Sequence, residues 1–354
     1  MKLVVFGLTV SSAWGNGHAT LWRGLIAALV ADGHHVTFFE RDVPYYAQNR
    51  DLLALPGGEL VLYRDWAEAL PLARRALDGA DVGLVTSFCP DGVAATELLA
   101  ERRVVRACYD LDTPVTLARL ASGAPVEWLG PDAMRPFDVV FSYTGGPALA
   151  ALRDLGAARA LALYGWVNPG DFQPAPARAD IAGSAMTYLG TYADDRQAAL
   201  RRLFLDPAAA RPDRRFAIGG AQYPASFPWT ANTWFVRHVD PAHHPAFYAA
   251  GRLTLNVTRA AMAASGWCPS GRLFEAASCG TALLSDRWTG IETFFEPDRE
   301  ILLADTTDEA LAALDRSDAE LARIASAGRE RTLADHTAAR RARQMVAALD
   351  MAHA

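Results

Sequence analysis

Short apolar runs alternate with amphipathic segments along most of the chain, and this alternation constrains the fold more strongly than any other feature. Segment 18–33, for example, repeats leucine and alanine at helical spacing and ends at Gly33. The runs between such segments are continuously apolar, which is typical of parallel strands covered on both faces. The sequence therefore predicts an α/β protein built on parallel sheets. The strands predicted in the first half are 2–8, 34–40, 59–63, 82–87, 103–110, 137–143 and 158–164.

A segment without regular spacing, 164–180, divides this alternation into two halves. Three prolines and two glycines fall within it, which favours an irregular connection. The alternation then resumes, and a chain of 354 residues is long enough for two domains of ordinary size. We predict a first domain at 1–165, a linker at 166–178, a second domain at 179–330 and a C-terminal helix at 331–354. The strands predicted in the second half are 185–191, 215–220, 253–258 and 300–305, and a buried strand that follows the helix and glycine of the stretch 270–286.

The composition excludes several classes of protein. Hydrophobic residues make up 51% of the chain, and the net charge of -6 argues against a nucleic-acid surface. The four cysteines form no C-x-x-C pair, so we interpret them as reduced thiols of a cytoplasmic protein. The apolar N-terminus is short and ends in a glycine-rich turn, which favours a first strand over a signal peptide. No apolar run approaches the roughly 20 residues that cross a bilayer, whereas peripheral membrane contact stays open.

The turn after the first predicted strand carries a histidine beside two glycines. Gly15 and Gly17 stand where glycine would let the backbone approach a ligand closely. His18 is placed at the N-terminus of the following helix, where the dipole favours a neutral imidazole that can accept a proton from a hydroxyl. Helix capping is the structural alternative. The G-x-G-x-x-G spacing of dinucleotide-binding turns is absent, because Thr20 stands at the third position.

Acidic residues end two further strands of the first half. Glu40 closes strand 34–40, where an acidic residue would bind the ribose of a nicotinamide cofactor. The absent glycine spacing weakens this interpretation, and an exposed cluster at the strand end is the alternative. Asp110 ends strand 103–110 and is a second candidate for the base that accepts a hydroxyl proton. Together with Asp112 it forms an Asp-x-Asp pair, which can hold a divalent ion, whereas Asp112 can equally cap the helix that follows.

The most informative stretch leads from a loop into the helix that starts at Ser270. Gly271 and Arg272 open this helix, and free N–H groups, a positive dipole end and an arginine together provide the chemistry of diphosphate binding. Glu275 stands one turn further and can accept hydrogen bonds from a diol such as ribose. A surface ion pair between Arg272 and Glu275 is the structural alternative. Other candidates for the same site are Asn256 and Arg259 at the end of strand 253–258, and Gly290 and Glu292 at the next strand-end turn.

These residues carry a resemblance to a known family. The stretches RLFEAASCGTALLSD, TGIETFFEPDREILLA, YLGTYADDR and LYGWVNP resemble GT-B glycosyltransferases, specifically the CgeB-like group, related to spore maturation proteins, with its group 1 glycosyl transferase domain. The resemblance covers nearly the whole chain. It implies an α/β GT-B fold, in which two Rossmann-like domains with parallel sheets face a central cleft, and a final helix that returns to the first domain.

The resemblance also implies roles for the two domains. The second domain would bind a nucleoside-diphosphate sugar, with Arg272 at the diphosphate, Glu275 at the ribose and Glu292 at the nucleotide or sugar. The first domain would bind a small-molecule, lipid or glycan acceptor, with Gly15, Gly17 and Glu40 on the acceptor side. GT-B enzymes generally use no bound metal, and no cofactor is expected. His18 or Asp110 would be the base if the enzyme inverts configuration, and acceptor contacts if it retains it.

One position departs from the pattern of related retaining enzymes. Those enzymes carry two glutamates separated by seven residues; Glu275 matches the second, whereas Trp267 stands at the first. The side chains of the adjacent His243 and His244 diverge, so the two cannot both ligate one metal ion. A contact at the surface, or with a nucleotide, is the predicted role. Two other functions stay open, a non-catalytic nucleotide-sugar-binding protein and a nicotinamide-dependent oxidoreductase.

Overall fold

The computed structural model describes residues 1–14 and 17–353, apart from the side chain of His353, and divides into two compact units. Unit 1 comprises Met1–Tyr164 with Ala338–Ala354, and unit 2 comprises Gly165–Thr337. Each unit is a parallel sheet with helices between its strands, which confirms the predicted fold class. No helix among the described residues combines the length and the apolar character needed to cross a bilayer.

Unit 1 contains a seven-stranded sheet in the order β3-β2-β1-β4-β5-β6-β7. Its strands pair in parallel, and those at the centre are buried on both faces, as continuous apolar runs predict. The strands are β1 (Lys2–Gly7), β2 (His35–Arg41), β3 (Glu59–Tyr63), β4 (Val82–Thr86), β5 (Val105–Asp110), β6 (Val139–Ser142) and β7 (Ala160–Ala162). The helices are α1 (His18–Ala31), α2 (Pro44–Ala47), α3 (Trp66–Leu77), α4 (Gly92–Ala100), α5 (Thr113–Ala121) and α6 (Pro147–Asp154).

Unit 2 contains a six-stranded parallel sheet in the order β10-β9-β8-β11-β12-β13. The strands are β8 (Ser184–Leu189), β9 (Phe216–Gly220), β10 (Thr233–Arg237), β11 (Gly251–Asn256), β12 (Ala282–Ser285) and β13 (Leu302–Leu303). The helices are α7 (Gln197–Leu200), α8 (Asp206–Ala210), α9 (His244–Tyr248), α10 (Ala260–Ser265), α11 (Gly271–Ser278), α12 (Thr307–Leu314) and α13 (Asp318–Asp335).

The last helix, α14 (Ala338–His353), belongs to unit 1, where it packs against α1 and near β5 and β6. The chain changes units at Ala338 instead of the predicted residue 331, because α13 continues to Asp335. The predicted linker 166–178 is part of unit 2: the Val167 N–H donates to the His336 carbonyl, and the Ser278 hydroxyl to the Phe172 carbonyl.

One strand, β10, lies outside the predicted set. It is the edge strand of its sheet, and two consecutive residues within it, Trp234 and Phe235, are both exposed. The aromatic residues around it therefore mask the period-two alternation from which a strand is recognised. The other predicted strands of unit 2 are present at slightly shifted bounds.

The order of the strands places the candidate residues within each unit. Strand order reverses between β1 and β4 in unit 1, and between β8 and β11 in unit 2. In open parallel sheets a ligand binds beside the carboxyl ends of the strands at such a reversal. In unit 1 the loops after β1 and β4 border this position, and the loop after β5 is the next along the sheet; in unit 2 the loops after β8 and β11 border it.

Candidate functional sites

Glu40 at the end of β2 is a structural residue of unit 1. It is fully buried, and both carboxylate oxygens accept hydrogen bonds from the loop after β1: two from backbone N–H groups, of Val10 and Ser11, and two from the hydroxyls of Thr9 and Ser11. This contradicts the prediction that Glu40 contacts the acceptor. A buried carboxylate needs several donors, and here the chain itself supplies them.

The two glycines of the turn before α1 give little support to a special backbone role. Gly15 lies outside the described residues. Gly17 precedes α1 with φ −90° and ψ −10°, which any residue can adopt, and an added Cβ would meet no atom within 4 Å. Within the described protein neither conformation nor space requires glycine at position 17, and a close approach of the backbone to a ligand there stays a prediction.

His18 and Asp112 form the polar pair at the switch point of unit 1. His18 Nε2 lies 2.7 Å from Asp112 Oδ2, and the His18 side chain is 12% exposed. His18 Nδ1 is buried and has no hydrogen-bond partner among the described residues. A carboxylate that holds one ring nitrogen leaves the other to exchange a proton, as in histidine bases oriented by an aspartate. Asp112 precedes α5 without capping it through its side chain.

Asp110 lies close by in sequence and is enclosed by the protein. It is fully buried at the end of β5, and its Oδ1 accepts a hydrogen bond from the Asp112 N–H at 3.0 Å. Burial raises the pKa of Asp110 to about 6, although bonds from Thr116 and Asp112 lower it. Asp110 Oδ2 is buried and has no hydrogen-bond partner among the described residues, so the catalytic role of Asp110 stays a prediction, while its Oδ1 fixes the backbone that presents Asp112.

The second candidate site surrounds the N-terminus of α11 in unit 2. Arg272 Cζ lies 5.8 Å from the ring centroid of Tyr188, near the end of β8. The Tyr188 hydroxyl accepts a hydrogen bond from Arg196 Nη1 at 3.3 Å. Neither guanidinium forms an ion pair with a carboxylate in the described part of the chain. The Leu273 N–H donates to the Ser270 carbonyl at 3.0 Å. The N–H groups of Gly271 and Arg272 have no partner within the helix, and Ser270 does not cap the helix through its side chain. Two cations and a helix N-terminus thus meet at one place.

The loop after β8 shapes this site. An added Cβ on Gly190 would lie 2.7 Å from the Tyr188 hydroxyl oxygen and 3.1 Å from Arg196 Nη1, so glycine leaves room for both. The Tyr223 hydroxyl donates to the Gly190 carbonyl at 3.0 Å. Burial raises the pKa of Tyr223, while the charges of Arg272 and Arg196 lower it, which is consistent with their proximity. Sequence reasoning missed Arg196 and Tyr188, although the rule of strand ends applies to both.

Glu275 stands one turn along α11 and accepts a hydrogen bond from the Tyr248 hydroxyl at its Oε2, 3.1 Å away. His244 Nδ1 lies 4.0 Å from the same oxygen, and His244 Nε2 lies 3.1 Å from the Val239 carbonyl oxygen. Glu275 and Arg272 form no ion pair with each other, and both are described residues. The alternative of a surface ion pair is therefore contradicted, since each side chain has its own aromatic neighbour.

The loop before α11 packs on the turn after β12. Trp267 adopts φ 42°, its N–H donates to the Thr289 carbonyl at 2.8 Å, and it is half-buried. Gly290 adopts φ 92°, and an added Cβ would lie 2.6 Å from atoms of the Trp267 ring. Gly290 is consequently required by both conformation and space, which gives it a structural role beside the predicted donor role.

Three other residues predicted for this site lie elsewhere or are engaged. Asn256 is fully buried and its Nδ2 donates to Thr258 and Ser285, while its Oδ1 has no partner among the described residues, so its donor contact stays a prediction. Arg259 is exposed, and its Nε donates to Asp195 Oδ2 at 2.8 Å. Glu292 is exposed beside a shallow groove whose lining residues do not include Arg272 or Glu275. The grouping of Glu292 with those two residues at one donor site stays a prediction.

Comparisons with known proteins bear on the fold. Residues 196–347 match the family model described as glycosyl transferase-like. A comparison with curated proteins found no match. Among solved structures, the chain is similar to sucrose-phosphate synthase from Thermosynechococcus elongatus, with a TM-score of 0.71, 15% identity and 99% of each chain covered.

Two further structures carry bound nucleotides. HepE of Anabaena in complex with UDP-glucose has a TM-score of 0.65 and 14% identity, over 99% of this chain and 100% of that chain. The catalytic domain of Starch Synthase IV from Arabidopsis thaliana, bound to ADP and acarbose, has a TM-score of 0.68 and 11% identity, over 99% of both chains. Together with the two parallel-sheet units, these likenesses show that the chain has the GT-B fold.

Proposed function

We propose that this protein is a glycosyltransferase that moves a sugar from a nucleoside-diphosphate sugar to an acceptor hydroxyl, and that unit 2 binds the donor. The observation that carries the proposal is the meeting of Arg196 and Arg272 at Tyr188, beside the open N–H groups of α11. Cations without a carboxylate partner at a helix N-terminus favour a multiply charged anion such as a diphosphate.

The same groups would serve the reaction itself. As the sugar leaves, the bond between its anomeric carbon and the phosphate oxygen breaks, and negative charge develops on the diphosphate. Arg196, Arg272 and the helix N-terminus stabilise this charge, and we propose that they do so without a metal ion. Removing one preorganised donor of this kind costs about 10²–10³ in kcat in other enzymes. Arg196 thereby takes the role predicted for Arg259, which is engaged with Asp195.

Glu275 supplies the contact for the ribose of the donor. The Tyr248 hydroxyl holds Glu275 Oε2 in place. The Glu275 side chain is 23% exposed, so a ligand can reach its carboxylate. A carboxylate accepts hydrogen bonds from both hydroxyls of a vicinal diol. Arg272 and Glu275 lie three residues apart on one helix, which sets the spacing between diphosphate and ribose.

In unit 1, His18 accepts the proton of the acceptor hydroxyl, and Asp112 stabilises the imidazolium that forms. The acceptor oxygen then forms the new bond to the anomeric carbon. Such a base belongs to a transfer that inverts configuration. In a retaining transfer the departing diphosphate takes the proton, and His18 only binds the acceptor, so the anomeric configuration of the product distinguishes the two.

The printed names of similar structures support a nucleotide hexose as the donor, since one relative binds UDP-glucose and another binds ADP. The acceptor is a small molecule, a lipid or a glycan. Membership in the CgeB-like group is the narrower form of the proposal and rests on the motifs in α11 and in the turn after β12. The four free, buried cysteines support a cytoplasmic location.

A thermal-shift screen over UDP-, GDP- and dTDP-sugars tests the proposal. We expect at least one donor to raise the melting temperature, and Arg196→Ala and Arg272→Ala each to weaken its binding about tenfold or more. Arg299→Ala is the matched control, because Arg299 is an exposed arginine of unit 2 that pairs with Glu296. Donor binding that neither arginine variant affects would overturn the site. Binding without release of nucleoside diphosphate would instead indicate a non-catalytic binding protein.

A further inference from the structure

His244 presents an unused hydrogen-bond acceptor beside Glu275. Its Nε2 lies 3.1 Å from the Val239 carbonyl oxygen, which can only accept, so Nε2 carries the hydrogen. The lone pair of Nδ1 then faces Glu275 Oε2 at 4.0 Å. Nδ1 is buried and has no partner among the described residues. Two acceptors thus face each other with no hydrogen between them, an arrangement that favours a ligand with hydroxyl donors.

The surroundings keep the imidazole neutral. Burial lowers the pKa of His244, and the charge of Arg272 lowers it further, while Glu275, the Val239 carbonyl and Asp240 act in the opposite direction. The net shift is downward, so near neutral pH the ring offers a lone pair and forms no ion pair with Glu275. Phe172 and Tyr248 flank the ring, each with its ring centroid 6.2 Å from that of His244.

We propose that His244 accepts a hydrogen bond from one hydroxyl of the donor's ribose while Glu275 accepts from the other, so that the site selects intact ribonucleotides over deoxynucleotides. This inference rests on the proposed function and specifies the class of its donor. The geometry favours a vicinal diol, because one hydroxyl can donate to only one of the two facing acceptors. Glu275 Oε2 accepts from the Tyr248 hydroxyl and keeps a lone pair for one ribose hydroxyl, and His244 Nδ1 accepts from the other. A site built to bind a hydroxyl strongly rejects the analogue that lacks it.

The test combines protein variants with deoxy ligands. Affinity is measured by calorimetry for whichever of UDP, GDP and ADP binds most tightly, and for its 2′-deoxy and 3′-deoxy analogues. For the unmodified protein we expect each deoxy analogue to bind about tenfold or more weakly. In His244→Phe the penalty for one of the two analogues should fall to about threefold or less, while the penalty for the other persists.

Two further variants separate contact from structure. His244→Asn keeps an acceptor near the position of Nδ1, and we expect it to restore part of the lost discrimination. His243→Phe is the matched control, because His243 is the exposed neighbour and should leave all penalties unchanged. His244→Phe retains an aromatic ring between Phe172 and Tyr248, which supports folding.

Other outcomes overturn the inference. If His244→Phe weakens all three ligands by the same factor, His244 only supports Glu275 and reads no hydroxyl. If the unmodified protein binds a deoxy analogue as tightly as the parent nucleotide, the site does not select the diol. If dTDP binds while UDP, GDP and ADP do not, the inference fails but the proposed function stands, because dTDP already lacks the 2′-hydroxyl. If none of the four nucleoside diphosphates binds, the proposed function itself fails, which is a different result.

Discussion

The Arg272 guanidinium lies over the face of the Tyr188 ring, with Arg272 Cζ 5.8 Å from the ring centroid. The hydroxyl at the edge of the same ring accepts a hydrogen bond from Arg196. Tyr188 is almost fully buried, so its position is fixed by the core of unit 2. One aromatic residue therefore holds both arginines of the proposed diphosphate site, through two different parts of its side chain.

Replacing Tyr188 should affect the two arginines separately. Tyr188→Phe keeps the ring below Arg272 but removes the acceptor of Arg196, and we expect donor affinity to fall about threefold. Tyr188→Leu removes both contacts and should lower it about tenfold or more. Calorimetry with the donor diphosphate measures both. Tyr63→Phe is a control, because this buried tyrosine bonds Asp91 in unit 1. Equal losses in the two Tyr188 variants would refute the division of roles.

The pair His18 and Asp112 should govern turnover without affecting donor binding. His18→Ala removes the proposed base, and we expect kcat to fall about 10²–10⁴-fold while the KM for the donor stays within about twofold. Asp112→Asn keeps the size of the side chain but removes its charge, and should lower kcat in the same direction. Release of nucleoside diphosphate at saturating donor is the measurement. The exposed His35→Ala serves as control; unchanged kcat in His18→Ala would exclude a base at this position.

Asp110 should make unit 1 less stable as pH rises. Its pKa is about 6 in the folded chain against the ordinary 3.8, so between these values the folded state binds more protons than the unfolded state. The free energy of unfolding therefore falls as pH rises through this window. Asp110→Asn removes the effect and can still accept from the Asp112 N–H. We expect it to stabilise the protein by up to about 3 kcal/mol at neutral pH and above, and by much less near the ordinary pKa.

Urea denaturation at about pH 5 and about pH 8 measures this difference. The comparison variant is Asp138→Asn, whose carboxylate accepts hydrogen bonds from Arg106 and is partly exposed. Loss of the negative charge of Asp138 weakens its ion pair with Arg106, so Asp138→Asn should destabilise the protein. A loss of stability in Asp110→Asn that grows with pH would show that Asp110 is ionised and paired in the folded state.

Gly290 and Trp267 should be coupled in stability. Gly290→Ala introduces a Cβ 2.6 Å from the Trp267 ring at a left-handed backbone position, and we expect it to cost about 2–4 kcal/mol. Adding Trp267→Ala should recover the steric part and leave the backbone part. Gly33→Ala isolates that backbone part, because Gly33 also has positive φ but open space around it. Denaturation of Gly290→Ala, Trp267→Ala, the double variant and Gly33→Ala gives the coupling, and additive losses would contradict the contact.

The sequence by itself determined the fold class and part of the site in unit 2. Continuous apolar runs predict parallel strands because such strands are buried on both faces, and β1, β4 and β12 have that pattern. Arg272 and Glu275 could be selected because their helix is local, and its start, spacing and end are written in consecutive residues. Of the strands, β10 alone was not predicted, because it is an edge strand whose largely exposed residues give no regular apolar pattern.

Only the tertiary structure decided which polar residues are accessible and which meet. Each of Glu40, Asp110 and Asn256 stands at a strand end, as site residues in parallel sheets do, yet all three are buried. The loops that pack over a strand end decide whether its polar side chain bonds the protein or faces a ligand, and the sequence of the strand does not show those loops. His18 with Asp112, and Arg196 with Arg272, are brought together from distant parts of the chain by the order of strands in each sheet. Periodicity describes one element at a time, whereas such pairs arise where several elements pack.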